Sequence, residues 1–151
     1  MPIEIINGLY LGNKNDAFNL DFLTSRNIDI IINTTNEVEF IKTAKINCIR
    51  VPISDNFPEN EKEKYNKEYY YQLLQLCKLI DLKLQKCHNI LIHCKHGKYR
   101  STCLVIAYLM YKLQMKLENV YEILITKYPL VKLKKHLFGE ALKMFEKDLG
   151  L

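Results

Sequence analysis

Asn89 to Tyr108 reads NILIHCKHGKYRSTCLVIAY. The stretch opens on a short apolar run, Ile90-Leu91-Ile92, and closes on an unbroken one, Cys103 to Tyr108. Between them stand His93-Cys94-Lys95-His96-Gly97-Lys98-Tyr99-Arg100-Ser101, polar and basic. A short apolar run bounded by a turn predicts a strand covered on both faces, and an apolar run of helical length predicts a helix buried all round. The polar loop between two buried elements leaves the carboxyl end of a strand, which is where ligands bind in α/β sheets.

The loop has the chemistry of an anion site. Backbone N–H groups that curl around a helix N-terminus make a cradle for an anion, and the helix dipole adds to it. Lys95, His96, Gly97, Lys98, Tyr99 and Arg100 supply that cradle, and Gly97 permits the backbone angles the turn needs. Arg100, six residues after Cys94, returns to the same point and offers a planar fork for two phosphate oxygens. Cys94 then sits at the bottom of a positive cup. A free thiol has a pKa of about 8.5, and helix N-termini and nearby cations lower it by several units, so a thiolate nucleophile is expected there. Ser101 is placed to donate a hydrogen bond to that sulfur. His93 is expected to order the loop from behind. A structural cysteine beside a solvated arginine would leave the register of Gly97 and Arg100 unexplained.

The rest of the chain has 151 residues, nearly half of them apolar, which suits one domain with one sizeable core. No apolar run is long enough to span a bilayer, and Met1-Pro2-Ile3-Glu4 lacks the basic start and apolar middle of a signal peptide. Five cysteines, at 48, 77, 87, 94 and 103, have neither metal-ligand spacing nor an even count. They fit a reducing compartment, cytoplasmic or nuclear, and argue against a disulfide framework.

Ile3 to Gly12 predicts two short strands about a turn at Asn7-Gly8. Asn15 to Arg26 predicts a helix with Asn15 as its cap, and Ile28–Asn33 and Ile46–Val51 predict strands with a short helix over Glu37–Ala44 between them. Tyr65 to Lys86 predicts a long amphipathic helix whose buried face carries Tyr69, Leu73, Leu76, Cys77, Ile80 and Leu84. Leu117 to Tyr128 predicts another, closed by Pro129, and Phe138, Leu142, Phe145 and Leu149 predict the last. Strands alternating with helices predict an α/β fold: a mostly parallel central sheet flanked by helices, with a phosphate-binding loop between a buried strand and the central helix.

His93-Cys94, Gly97 and Arg100-Ser101 match the H-C-x-x-G-x-x-R-S/T signature, so the chain resembles the cysteine-based protein tyrosine phosphatases. Gly8-Leu9-Tyr10-Leu11-Gly12, Asp16-Ala17 and Ile31-Ile32-Asn33-Thr34-Thr35 resemble the opening of dual-specificity phosphatase domains. Pro129, Phe138 and Phe145-Glu146 resemble their closing outline, so the likeness covers the whole chain, residues 1–151. It departs at Lys132-Leu133-Lys134-Lys135-His136, where relatives usually carry Pro-Asn, an Asn expected to brace the phosphate loop.

The resemblance implies hydrolysis of phosphotyrosine and of phosphoserine or phosphothreonine in phosphoprotein substrates through a phosphocysteine, without a metal or other cofactor. It gives Cys94, Arg100 and Ser101 catalytic roles and places the general acid on Asp55, in the loop Val51-Pro52-Ile53-Ser54-Asp55-Asn56-Phe57-Pro58. Phe57 to Lys67 is longer than in typical relatives. Tyrosine-only relatives carry an N-terminal segment that walls the cleft, whereas here the first strand begins almost at Met1, which leads to the expectation of a shallow cup. His96 resembles the RNA 5′-triphosphatase branch and Lys95 with Lys98 the phosphoinositide branch, so those activities stand as alternatives. Nucleic acid is a less expected partner, since the positive excess of five charges is modest. A phosphate-binding module without catalysis is the rival from another class, and the presence of Cys94, Arg100 and Asp55 argues against it.

Overall fold

Isoleucine-rich runs give the sheet its centre. The computed structural model describes residues 2–54, 56–97, 99–129 and 138–151. Its strands are β1 (Ile3–Ile6), β2 (Leu9–Gly12), β3 (Ile28–Asn33), β4 (Asn47–Arg50) and β5 (Asn89–His93). They lie in the order β1-β2-β5-β3-β4, antiparallel only between β1 and β2. The near-continuous apolar sequences of β3 and β5 follow from their central places, where both faces are covered. Because β2, β5, β3 and β4 run in parallel, their carboxyl ends share one edge. There Gly12 is level with His93, His93 with Asn33, and Asn33 with Arg50.

Alternate side chains separate into two layers, as the period of a strand requires. Leu9, Leu11, Ile30, Ile32, Ile90 and Ile92 join the larger core, while Tyr10, Ile31 and Leu91 join the smaller one. The larger core packs against α3 (Lys62–Gln85), α4 (Arg100–Leu113), α5 (Leu117–Lys127) and α6 (Gly139–Asp148). The smaller one is covered by α1 (Lys14–Ala17) and α2 (Leu20–Ser25) through Ala17, Phe22 and Leu23. In α4 every residue from Arg100 to Met110 is buried, as a helix apolar on all sides must be. From α3 the larger core receives Tyr69, Leu73, Cys77 and Ile80, a stripe at three- and four-residue spacing, with Leu76 and Leu84 partly buried beside it. A 3₁₀ turn, Glu59–Glu61, leads into α3, and Phe57 stacks on Tyr65 at a ring separation of 4.6 Å. Among the described residues no helix is long and apolar enough to cross a membrane.

Two expected elements differ. The helix expected over Asn15–Arg26 is two short ones, and the cap of the first is Asn13 rather than Asn15. Asn13 accepts from Asp16 N–H at 3.0 Å while its own N–H donates to Asp16 at 2.8 Å. Asn19 then accepts from Phe22 N–H at 3.1 Å. A side chain that bonds the backbone in this way interrupts one helix and starts another. The helix expected over Glu37–Ala44 does not form. Val38 is buried, and side chains take up its backbone groups: its N–H donates to Thr35 Oγ1, and its carbonyl accepts from Asn33 and Arg50. Those bonds replace the ones a helix would make. The Lys132-Leu133-Lys134-Lys135-His136 run lies outside the described residues.

Replacing a fully buried aliphatic side chain leaves a cavity that the close-packed sheet cannot collapse. Ile92→Ala should cost about 2–5 kcal/mol in chemical denaturation, whereas Leu74→Ala, at a 42% exposed position, should cost less than about 1 kcal/mol. Equal losses would contradict the placement of β5 at the centre.

Candidate active site

The loop from His93 to Arg100 leaves β5 at the carboxyl edge of the sheet and turns directly into α4. Two contacts fix its course. Lys14 N–H donates to the Lys95 carbonyl at 3.2 Å, tying the loop to the start of α1. Gly97 has φ +70°, and a Cβ there would lie 2.9 Å from the Gly12 carbonyl oxygen, so both the turn and the close approach require glycine. At the α4 end, Thr102 Oγ1 donates to the Gly97 carbonyl at 3.3 Å and Cys103 N–H to the Tyr99 carbonyl at 2.9 Å. Tyr99 occupies the N-cap position without a side-chain cap, so the first N–H groups of α4 face the loop uncapped by it.

Cys94 is buried, with 3% of its surface exposed. Its sulfur accepts a hydrogen bond from Gly97 N–H at 3.2 Å and lies 3.1 Å from Ser101 Oγ. Burial by itself would raise the thiol pKa. The Ser101 hydroxyl and the backbone N–H groups of Ser101, Gly97 and Tyr99 together outweigh it, and the pKa falls below its ordinary value. The contrast with the other buried cysteines is chemical: Cys77 and Cys103 lack such donors, and burial pushes both far upward. Burial also lowers the His93 pKa, which keeps the ring neutral near pH 7. Its Nδ1 lies 3.1 Å from the Cys94 carbonyl, and the His93 carbonyl accepts from Thr34 N–H and Thr34 Oγ1, each at 2.9 Å. His93 is thus locked to β3 and to the loop that follows it.

Arg100 is buried, and its guanidinium is held from an unexpected direction. Nη1 donates to Glu37 Oε2 at 3.0 Å and to the Ile53 carbonyl at 3.2 Å, and Nη2 donates to Glu37 Oε1 at 2.8 Å. Its backbone carbonyl lies 3.5 Å from the Tyr69 hydroxyl. Glu37 is the residue that sequence reasoning missed. Its signal was its place just past the carboxyl end of β3, the same edge from which the cysteine loop emerges. Lys95 and His96 are exposed on the rim, and Tyr99 is half-buried. Asp55 and Lys98 lie outside the described residues. The arrangement therefore brings together Cys94, Ser101, Gly97, Tyr99, Arg100 and His93, and it can stabilise a sulfur anion and bind an oxyanion above it.

The sequence family described as "Dual specificity phosphatase, catalytic domain" matches residues 9–147. The chain is 31% identical to human dual specificity protein phosphatase 6 over 99% of its own length and 38% of that protein. It is 30% identical to human dual specificity protein phosphatase 9, over 99% of the chain and 37% of that protein. The chain thus spans less than two fifths of the curated relatives it matches. In fold it is similar to the crystal structure of human DUSP28, with a TM-score of 0.83, 19% identity, and coverage of 99% of this chain and 95% of that one.

A thiol held as an anion reacts with neutral alkylating agents at lower pH than ordinary thiols do. Cys94 should react with iodoacetamide through a midpoint below the usual thiol value of about 8.5, well ahead of Cys77 and Cys103. Peptide mapping after alkylation across a pH series checks this, and a midpoint for Cys94 at or above the usual value would contradict it. Gly97→Ala should strain the loop by about 1–2 kcal/mol and weaken phosphate protection of Cys94.

Proposed function

Because the chain belongs to the dual specificity phosphatase family through a match to its catalytic domain, we propose that residues 1–151 form one catalytic domain. It removes phosphate from phosphotyrosine and from phosphoserine or phosphothreonine in proteins. The observation that carries this reading is the lowered pKa of a buried Cys94 at the uncapped N-terminus of α4. The relatives it matches are named as protein phosphatases, which favours phosphoproteins over inositol lipids or RNA ends as substrates. All five cysteines are free, which supports a reducing compartment, cytoplasm or nucleus.

In the first step the Cys94 thiolate attacks phosphorus in line with the ester oxygen. An S–P bond forms as the P–O ester bond breaks, and Asp55 gives its proton to the leaving oxygen. Loop N–H groups and Arg100 hold the equatorial oxygens as their charge grows. In the second step water attacks the phosphocysteine and gives a proton to the Asp55 carboxylate. The S–P bond breaks, phosphate is released, and the Ser101 hydroxyl steadies the returning thiolate at the 3.1 Å separation already present. His93 keeps the loop in register through its link to β3. The positive charge needed is supplied by the protein's own donors, so the proposed chemistry requires neither metal nor organic cofactor. Asp55 is assigned to its role from its place in the sequence after Ile53 and Ser54.

Cys94→Ser should abolish turnover of para-nitrophenyl phosphate and retain phosphate binding, since the cradle remains without its nucleophile. Asp55→Asn should lower turnover by roughly two to four orders of magnitude, the usual worth of a general acid, most of all for alkyl phosphates with poor leaving groups. A side-by-side panel of phosphotyrosine and phosphothreonine peptides, phosphoinositides and triphosphate-ended RNA tests the substrate class. Turnover confined to the lipids or the RNA would refute the protein-substrate reading.

A further inference from the structure

Glu37 stands outside the loop that holds Cys94, 63 residues before Arg100, yet both its carboxylate oxygens engage the guanidinium, at 3.0 and 2.8 Å. The pairing lowers the pKa of Glu37, with the hydrogen bonds from Arg100 as the leading cause. A loop held in place makes the contact. Thr35 Oγ1 donates to Asn33 Oδ1 at 2.7 Å, and Asn33 Nδ2 donates to the Val38 carbonyl at 2.8 Å. Arg50 reaches from β4 and donates to the carbonyls of Thr35 and Val38, at 2.8 and 2.9 Å. The backbone is thereby pinned on both sides of Glu37. Such a set of bonds around one partly exposed acid, its side chain 45% accessible, has no counterpart in the needs of the core.

We propose that Glu37 is a positioning residue for phosphate binding. Its carboxylate grips the Nη1–Nη2 end of Arg100, and the Ile53 carbonyl takes a second hydrogen of Nη1. A guanidinium has five N–H groups in a rigid plane, so holding one end fixes the orientation of the side formed by Nε–H and the second Nη2–H. That side is the parallel pair which binds two oxygens of the substrate phosphate. Arg50, by pinning the 35–38 backbone, braces the brace. This inference rests on the phosphatase reading above, and it gives a second function to the irregular segment after β3: that segment carries the carboxylate which sets the angle of the phosphate-binding arginine.

The probe is inorganic phosphate acting on the full chain, read as protection of Cys94 from iodoacetamide. Glu37→Gln should weaken phosphate binding by about tenfold or more, the worth of a lost charge-assisted hydrogen bond, and lower kcat/KM for para-nitrophenyl phosphate by at least as much. Alkylation without phosphate should stay within about threefold of the unaltered protein, because the sulfur's donors are elsewhere. In an Arg100→Lys background, where no planar fork remains to be oriented, Glu37→Gln should add nothing. Arg50→Gln should weaken phosphate binding in the same direction. Unchanged or tighter phosphate binding by Glu37→Gln overturns the proposal, since a carboxylate that merely competed with phosphate would give that result. An undiminished effect in the Arg100→Lys background also overturns it, as does a loss of phosphate binding matched by a fall in thermal midpoint and altered alkylation. Unchanged binding by Arg50→Gln overturns the bracing role. If the unaltered protein binds phosphate without turning over para-nitrophenyl phosphate, the phosphatase reading fails and the protection series still decides the role of Glu37. Absence of protection in the unaltered protein overturns both.

Discussion

A sulfur with only 3% of its surface exposed can be an anion only where donors replace the water it has lost. At Cys94 those donors are the Ser101 hydroxyl and the backbone N–H groups of Gly97, Tyr99 and Ser101, and their combined effect exceeds the cost of burial. The constraint is severe because the three backbone donors must converge on one point within a single turn of chain. That convergence needs a left-handed glycine, a helix that begins immediately after the loop, and a strand that enters it without slack. The remainder of the fold can be understood as the means of holding those three conditions together.

The strand is held by neighbours on both sides, with His93 level with Gly12 on one side and Asn33 on the other. The helix is held by complete burial, so it has no freedom to withdraw from the loop. The loop itself rests on the Gly12 backbone and is tied to α1 through Lys14. The arginine is held by Glu37 and Ile53, from two segments that leave the same edge of the sheet. Parallel strands make this arrangement possible, since their carboxyl ends deliver separate loops to one place. Burial and polarity are therefore partners here: the apolar core supplies rigidity, and the edge supplies the donors.

What the sequence made legible was local. The apolar runs of β3, β5 and α4, the stripe of α3 and the glycine-containing loop all carry their structure in adjacent residues, and the five-stranded, mostly parallel sheet agrees with that expectation. The cysteine and its donors fall within eight consecutive positions, so their proximity could be foreseen. The Glu37–Arg100 pair could not, because its partners are 63 residues apart and the helical spacing at Glu37–Ala44 suggested an element that side-chain hydrogen bonds replace. The same competition between side chain and backbone moved a helix cap from Asn15 to Asn13 and divided one expected helix at Asn19. Periodicity records which face is apolar, and it carries no information about which polar side chain will claim a backbone group.

The central claim is that the Cys94 sulfur becomes covalently bonded to the phosphorus it attacks. The most direct measurement is rapid acid quenching of the Asp55→Asn protein during turnover of para-nitrophenyl phosphate, followed by peptide mass analysis. An activated aryl ester still loads the sulfur without a strong acid, while hydrolysis of the intermediate lacks its base, so the adduct should accumulate. The account predicts the mass of one phosphoryl group on the peptide carrying Cys94 and on no other cysteine peptide. Turnover with no phosphoryl group on that peptide at any quench time, or with one on a different residue, would contradict it.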